Sequence, residues 1–218
     1  MSENLNLKPI IIIGSGSHAR LLYNILKKSG RKILGVTHPL GKVAKNLYGL
    51  NIIGSDEIIL KHSFNEVELV NGVAGLNYRK NRQELTKKFE LEGYKFSKVI
   101  HPSVIISDNV KLDEGVQIMA GAILQNNVTV GSSSIINTAA IIDHDCIIYK
   151  NCHIGPGVIL NGNVIIGEQS HIGTGTSVIE NIKIGKNSII AAGSVVYKNI
   201  TDNKKFVQLR QEKMENLE

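Results

Sequence analysis

Residues 135–160 read IINTAAIIDHDCIIYKNCHIGPGVIL, and an aliphatic residue falls on every sixth position: Ile136, Ile142, Ile148, Ile154 and Leu160. The beat extends outward in both directions without an insertion. It begins at Ile100, Ile106, Leu112, Ile118, Leu124 and Val130, and it runs on through Ile166, Ile172, Val178, Ile184 and Ile190 to Val196, seventeen positions in all. Four residues after each stands a small or β-branched side chain, among them Val104, Val110, Ala122, Cys146, Cys152, Ser170 and Ile200. A period of six sustained over about a hundred residues fits neither a helix nor a hairpin. It identifies a solenoid.

The third position after each aliphatic is Gly, Asn or Asp in thirteen of the seventeen hexads, with Ser103, Ser133, Ala139 and Gln169 as the others. Gly, Asn and Asp tolerate left-handed backbone angles, so each hexad reads as a short strand followed by a corner. Three hexads make a triangular coil of eighteen residues. The aliphatic and its small partner point inward, and coils stack ~4.8 Å apart. The chain holds between five and six such coils.

Residues 1–98 obey another rule. PIIIIGSGSHARLLYNILKKSG is a buried strand, a glycine turn and a helix whose apolar Ala19, Leu22, Ile25 and Leu26 share one side. KILGVT, LNIIGSDEIILK, EVELVNGVAG and NYRKNRQELTKKFELEG follow, an alternation of β and α segments that implies a small parallel sheet with helices on its faces. No Pro/Gly-rich linker precedes the repeats. The expected organisation is an α/β domain over 1–98, an all-β solenoid over 99–200 and a tail over 201–218.

Composition bounds the function. The 218 residues are 42% hydrophobic, ample for real cores. No run approaches the ~20 apolar residues of a membrane span, and the N-terminus lacks the basic start and cleavage site of a signal peptide. Two cysteines do not make a disulfide framework. These features predict a cytoplasmic protein. The net charge of +6 comes from Lys and Arg interleaved with Asp and Glu, without the basic stripe and stacking aromatics of a nucleic-acid binder. It suits small polyanions such as nucleotides or coenzyme A equally well.

The turn GSGSHA, Gly14 to Ala19, partly matches the dinucleotide fingerprint, whose glycines let main-chain N–H groups approach phosphate at a helix N-terminus. The acid expected on the ribose about twenty residues on is missing, because the second strand ends in Val36, Thr37 and His38. That disfavours NAD and leaves a phosphate-bearing ligand as the leading reading, with a plain strand-to-helix turn beside it.

The uninterrupted hexads resemble the hexapeptide-repeat acyltransferases, whose domain is a left-handed parallel β-helix. The handedness comes from that resemblance, since the general crossover rule favours the right hand. A small α/β domain with a glycine turn ending in His, followed directly by such a β-helix, is similar to bacterial nucleotide-sugar acetyltransferases. These include the N-acetyltransferases of UDP-4-amino sugars and GDP-perosamine, together with the related sialic acid O-acetyltransferases. The resemblance implies an acetyl-CoA-dependent N-acetyltransferase of surface polysaccharide or glycan biosynthesis, acting on a nucleotide-linked amino sugar without a metal. A homotrimer with sites between protomers is implied as well. The N-terminal domain would bind the sugar nucleotide through Gly14, Gly16, Ser17, His18 and Thr37. Two alternatives stand beside this reading, an O-acetyltransferase of a sialic acid-like sugar and a nonenzymatic scaffold trimer.

Residue by residue, the resemblance makes His144 the general base. His144 lies two positions after Ile142, at an outward corner, and its column in neighbouring coils reads Asp108, Asn126, His144, Gly162 and Glu180. Gly162 above it has no side chain to block a ligand. Asp145 has two readings, a carboxylate orienting the imidazole or a corner residue in a column of Asn109, Asn127, Asn163 and Asn181. His153 follows His144 by half a coil and falls on the opposite side of the prism, roughly 15 Å away by strand rise. One protomer therefore cannot bring the two histidines to a shared metal. The resemblance assigns His153, the Gly162 amide, Thr174 and Ala192 to acetyl-CoA and puts Asn137 beside the base. His171, one coil above His153, reads as a surface ladder. Cys146 and Cys152 occupy inward positions and read as packing.

Two features depart from the resemblance. Thr37 and His38 stand where UDP-type relatives carry acids. NITDNKKFVQLRQEKMENLE also lacks the closing Gly-x-Pro-Ala segment, and its Phe206, Val207 and Leu209 are expected to cap the last coil.

Overall fold

The structure, a computed structural model, describes residues 7–41, 49–75 and 79–208. Four successive isoleucines form β1 (Ile10–Ile13), every one of them fully buried, as the central strand of a sheet covered on both faces requires. With β2 (Ile33–Thr37), β3 (Ile52–Gly54) and β4 (Glu68–Asn71) it makes a parallel sheet in the order β3-β2-β1-β4. Helix α1 (Ser17–Lys28) buries Ala19, Leu22, Ile25 and Leu26 against one face. Helix α2 (Arg79–Leu91) and a 3₁₀ helix at Asp56–Lys61 cover the other through Phe89 and Ile59. Strand order reverses between β1 and β4, and the crevice beyond their carboxyl ends is where sheets of this kind bind ligands.

From β5 (Val99–Ile100) to β21 (Val195–Val196) the chain makes seventeen two-residue strands, one for each aliphatic of the six-residue beat. They stack as three parallel sheets, the faces of a left-handed parallel β-helix. From Ile118 to Val196 the inward aliphatics are at most 1% exposed. Fifteen of the seventeen corner positions have positive φ, including Ser133 (57°), Ala139 (54°) and Gln169 (61°). These residue types seldom adopt that conformation, so the stacked coils impose it. Ser103 and Asn199 are the two exceptions.

Asn199 departs because the last coil slips. Ile200 bridges to Ile184 and β22 (Lys205–Phe206) pairs with Ile189–Ile190, offsets of sixteen residues rather than eighteen, with Asn203 (φ 60°) as the new corner. The β-helix therefore continues past residue 200, the boundary expected from the uninterrupted hexads. Phe206 packs on the core as a strand residue, whereas Val207 is 49% exposed and does not cap it. Leu209 lies outside the described residues.

The two domains share one body. Val99 and Met119 from the β-helix join the α1-side core, Phe96 bridges to Leu69, and the Gly115 N–H donates to the Phe96 carbonyl at 2.9 Å.

Candidate active site

At the corner following Ile141–Ile142, His144 and Asp145 form a built pair. The left-handed φ of Asp145 (59°) turns its carboxylate back, and His144 Nδ1–H donates to Asp145 Oδ2 at 2.8 Å. Asn127 Nδ2, one coil below, donates to Asp145 Oδ1 at 3.0 Å. The His144 main-chain N–H donates to Asp143 Oδ1 at 2.8 Å. Asp145 thus occupies a left-handed corner and accepts a hydrogen bond from the imidazole. A carboxylate only accepts, so the proton sits on Nδ1 and the lone pair on Nε2. The imidazole is 54% exposed. The Asp145 hydrogen bond, aided by the Asp143 charge, raises its pKa above that of an ordinary histidine.

Gly162 plays a tighter role than the sequence implied. It is buried, and a Cβ there would sit 2.6 Å from His144 Cε1 and 2.7 Å from Nε2. The space it leaves is filled by the imidazole itself rather than held open for a ligand. Among the described residues its N–H has no acceptor.

His153 lies on another face, the one turned toward the N-terminal domain. Asn137 Nδ2 donates to its Nε2 at 3.2 Å, while Asn137 Oδ1 accepts from the Thr138 N–H at 2.8 Å. Within one chain Asn137 is therefore a partner of His153. Within the chain it lies at a different corner from His144, as His153 lies on a different face. The His171 ring stands 4.9 Å from His153, edge-on. His171 is more than a surface ladder, since its Nδ1 is buried without a hydrogen-bond partner among the described residues. Burial first, then the neighbouring His171, His18 and Arg82, push the His153 pKa down to about 3. His153 is a neutral imidazole.

The glycine turn caps the same region. Gly14 (φ 88°) makes the strand-to-helix turn, and Gly16 is the N-cap of α1, with nothing within 4 Å of where its Cβ would point. Ser17 is exposed beside it. Thr37 differs from the expectation. It is fully buried, its hydroxyl accepting from the Gly14 N–H at 3.0 Å and donating to Asp56 Oδ1, so it braces the turn from behind instead of facing a ligand. His18 points into the domain junction, 2.8 Å from Gln117 Oε1.

Sequence reasoning missed Arg82. Among the described residues its guanidinium donates to carbonyls alone, those of Asn71, Val73 and Ser133, at 2.8, 2.8 and 3.2 Å, stapling α2 to the sheet edge and to the β-helix. Its helical position resembles any solvated basic residue, so no signal marked it. Gln117 could have been found as the amide in a first-face column of Val99, Gln117, Ile135, His153 and His171.

Thr174 and Ala192 are exposed and stacked above Thr138, at the corner that Asn137 adjoins, with the Gly193 N–H donating to the Thr174 carbonyl at 2.8 Å. The structure thus makes three groups within one chain: His144, Asp145 and Gly162; His153, Asn137 and the glycine turn; Thr174 and Ala192. Cys146 and Cys152 are buried behind them, their thiols pushed up to about 11 and about 12 by burial. Both are packing residues, as their inward positions implied. Among the described residues no group of three or more His, Cys, Asp or Glu could hold a metal ion.

Residues 163–198 match the bacterial transferase hexapeptide (six repeats) family, and no curated protein matches the chain. Among solved structures, perosamine N-acetyltransferase from Caulobacter crescentus, a histidine-to-asparagine variant in complex with CoA and GDP-perosamine, is 30% identical. The alignment covers 90% of this chain and 92% of that one, with a TM-score of 0.81. The acetyltransferase domain of PglB from Neisseria gonorrhoeae, in complex with acetyl coenzyme A, is 27% identical over 91% and 95% of the two chains, TM-score 0.83. WeeI from Acinetobacter baumannii, at 21% identity and TM-score 0.82, shares the fold. With hexapeptide repeats in its β-helix and this likeness along nearly its whole length, the chain belongs to the hexapeptide-repeat sugar N-acetyltransferases.

Proposed function

We propose that this enzyme moves the acetyl group of acetyl-CoA to the amine of a nucleotide-linked amino sugar, in surface polysaccharide or glycan biosynthesis. The observation that carries the reading is the inequality of the histidines. His144 is exposed, anchored through Nδ1 and made more basic, whereas His153 is buried, neutral and engaged by Asn137. Of these two, only His144 can take a proton near neutral pH. The free amine attacks the thioester carbonyl carbon as Nε2 of His144 accepts the nitrogen's proton, a step typically worth 10² to 10⁴ in rate. The carbonyl electron pair moves to oxygen, where the Gly162 N–H and neutral His153 are the donors we assign. It returns as the C–S bond breaks, and coenzyme A leaves as the thiolate. Thr174 and Ala192 form the wall we assign to coenzyme A, and Gly14, Gly16 and Ser17 line the nucleotide crevice.

The same geometry supports a homotrimer. His144 and His153 stand on opposite sides of one prism, so a shared site needs a second protomer. The face between the His144 corner and the Thr174 corner carries outward Ile105, Ile159 and Val195, 59%, 38% and 41% exposed, an apolar surface suited to a neighbour. We assign the enzyme to the cytoplasm. No helix of the described residues is long and apolar enough to cross a membrane.

Thiol release from acetyl-CoA, measured with GDP-perosamine and with UDP- and dTDP-linked amino sugars, tests the reading. Turnover to an N-acetyl product on one of them is expected. Transfer to a sialic acid hydroxyl with none to any amino sugar would replace it with an O-acetyltransferase.

A further inference from the structure

Gln117 sits at an outward position of the β-helix yet is only 1% exposed, because the N-terminal domain covers it. Its Nε2 donates to the Asn71 carbonyl at 2.8 Å, and its Oε1 lies 2.8 Å from His18 Nε2. The Asn71 carbonyl can only accept, so the amide nitrogen must face Asn71 and the amide oxygen must face the ring. That oxygen can also only accept. The hydrogen of His18 is therefore on Nε2.

The other ring nitrogen follows. Burial, with a smaller push from Arg82, outweighs the Gln117 bond and brings the His18 pKa down to about 4, so the ring is neutral at ordinary pH. Nδ1 then carries a lone pair, and among the described residues it has no hydrogen-bond partner. The ring lies in the first turn of α1, two residues after the N-cap Gly16, where a Cβ would meet nothing within 4 Å. It is close enough to His153 for the two to interact electrostatically.

We infer that Gln117 is a positioning residue that holds His18 as a hydrogen-bond acceptor, its Nδ1 lone pair reading an N–H or O–H of the acceptor sugar. The inference rests on the proposed reaction and sharpens it. A diphosphate ester offers only acceptor oxygens at neutral pH, so the phosphates fall to the main-chain N–H groups of the glycine turn, and His18 discriminates among sugars. The opposite tautomer would present a donor and favour a different sugar.

The test is a two-bond nitrogen–proton correlation spectrum of the full-length protein labelled with ¹⁵N-histidine, the His18 signals being those lost in His18→Gln. The wild type should show the proton on Nε2, and GDP-perosamine should shift the Nδ1 signal while GDP alone should not. Gln117→Met removes both bonds but leaves the Asn71 carbonyl its Arg82 donor at 2.8 Å. It should mix the tautomers and raise KM for GDP-perosamine about tenfold, the usual size for one lost hydrogen bond, with KM for acetyl-CoA unchanged. A proton on Nδ1 in the wild type, equal Nδ1 signals with GDP and GDP-perosamine, or equal rises in both KM values would overturn the inference. If no amino sugar is acetylated, the wild-type spectrum still reports the tautomer, so failure of the reaction and failure of the tautomer are told apart.

Discussion

His144 and His153 share a coil and a residue type, yet their surroundings drive them apart. His144 stands at a corner with a carboxylate on Nδ1 and another beside its main chain, and both raise its basicity. His153 lies under the N-terminal domain, against a second imidazole and within reach of the Arg82 charge, which with burial push it to about 3. In the sequence, the resemblance to hexapeptide-repeat acyltransferases marks both as candidates. Environment makes one an exposed imidazole of raised basicity and the other a buried neutral one.

The largest way to sharpen that contrast is His144→Ala. The side chain is half in solvent with no core contact, so the fold should stand, while kcat should fall by about 10² or more. Retention of more than about a tenth of turnover, measured by thiol release on a folded variant, would reassign the base.

Gly162→Ala comes next. Its new methyl would lie 2.6 Å from Cε1 of the imidazole, and the exposed ring must move aside. A displacement of roughly 1 Å costs about 10- to 10²-fold in rate, and a melting curve close to that of the wild type should accompany the loss.

Asp145→Asn is milder. Asn keeps the left-handed corner that Asn127 and Asn163 already occupy, but its amide can offer Nδ1 either oxygen or nitrogen and no longer fixes the tautomer. A loss on the order of tenfold is expected, smaller than removing the base. The pH profile carries the sign. A base with a raised pKa is unprotonated only above that pKa, so the wild-type rate should fall with decreasing pH at a midpoint above the ordinary histidine value near 6.5. Removing the Asp145 charge should move that midpoint to lower pH. An unmoved limb would mean that another group titrates.

The smallest effect belongs behind the corner. Cys152→Ala removes a buried sulfur whose S–H donates to the Gly167 carbonyl at 3.1 Å. It should cost about 1 kcal/mol, a few degrees of Tm for a chain of this size, and leave turnover intact.

The fold was legible because one period is repeated seventeen times, strongly enough to force Ala139 and Gln169 into corners their residue types disfavour. The His144 corner was legible for the same reason, since columns of the repeat line up neighbours eighteen residues apart. What escaped has no period. His18 meets Gln117 across 99 residues and Arg82 meets Ser133 across 51, contacts made by docking two domains rather than by any local rule. The two-residue slip before Ile200 escaped because Val196 and Ile200 still satisfy the hexad while the strand pairing has already changed.

The central claim is that one active site takes His144 from one protomer and His153 from the next, and subunit mixing tests it most directly. His144→Ala and His153→Ala chains, each weakly active alone, are unfolded together and reassembled. Mixed assemblies should regain turnover well above either parent, because some interfaces then combine an intact His144 with an intact His153. Mixed assemblies no more active than the parents, although folded and of the same size as the wild type, would contradict the shared site.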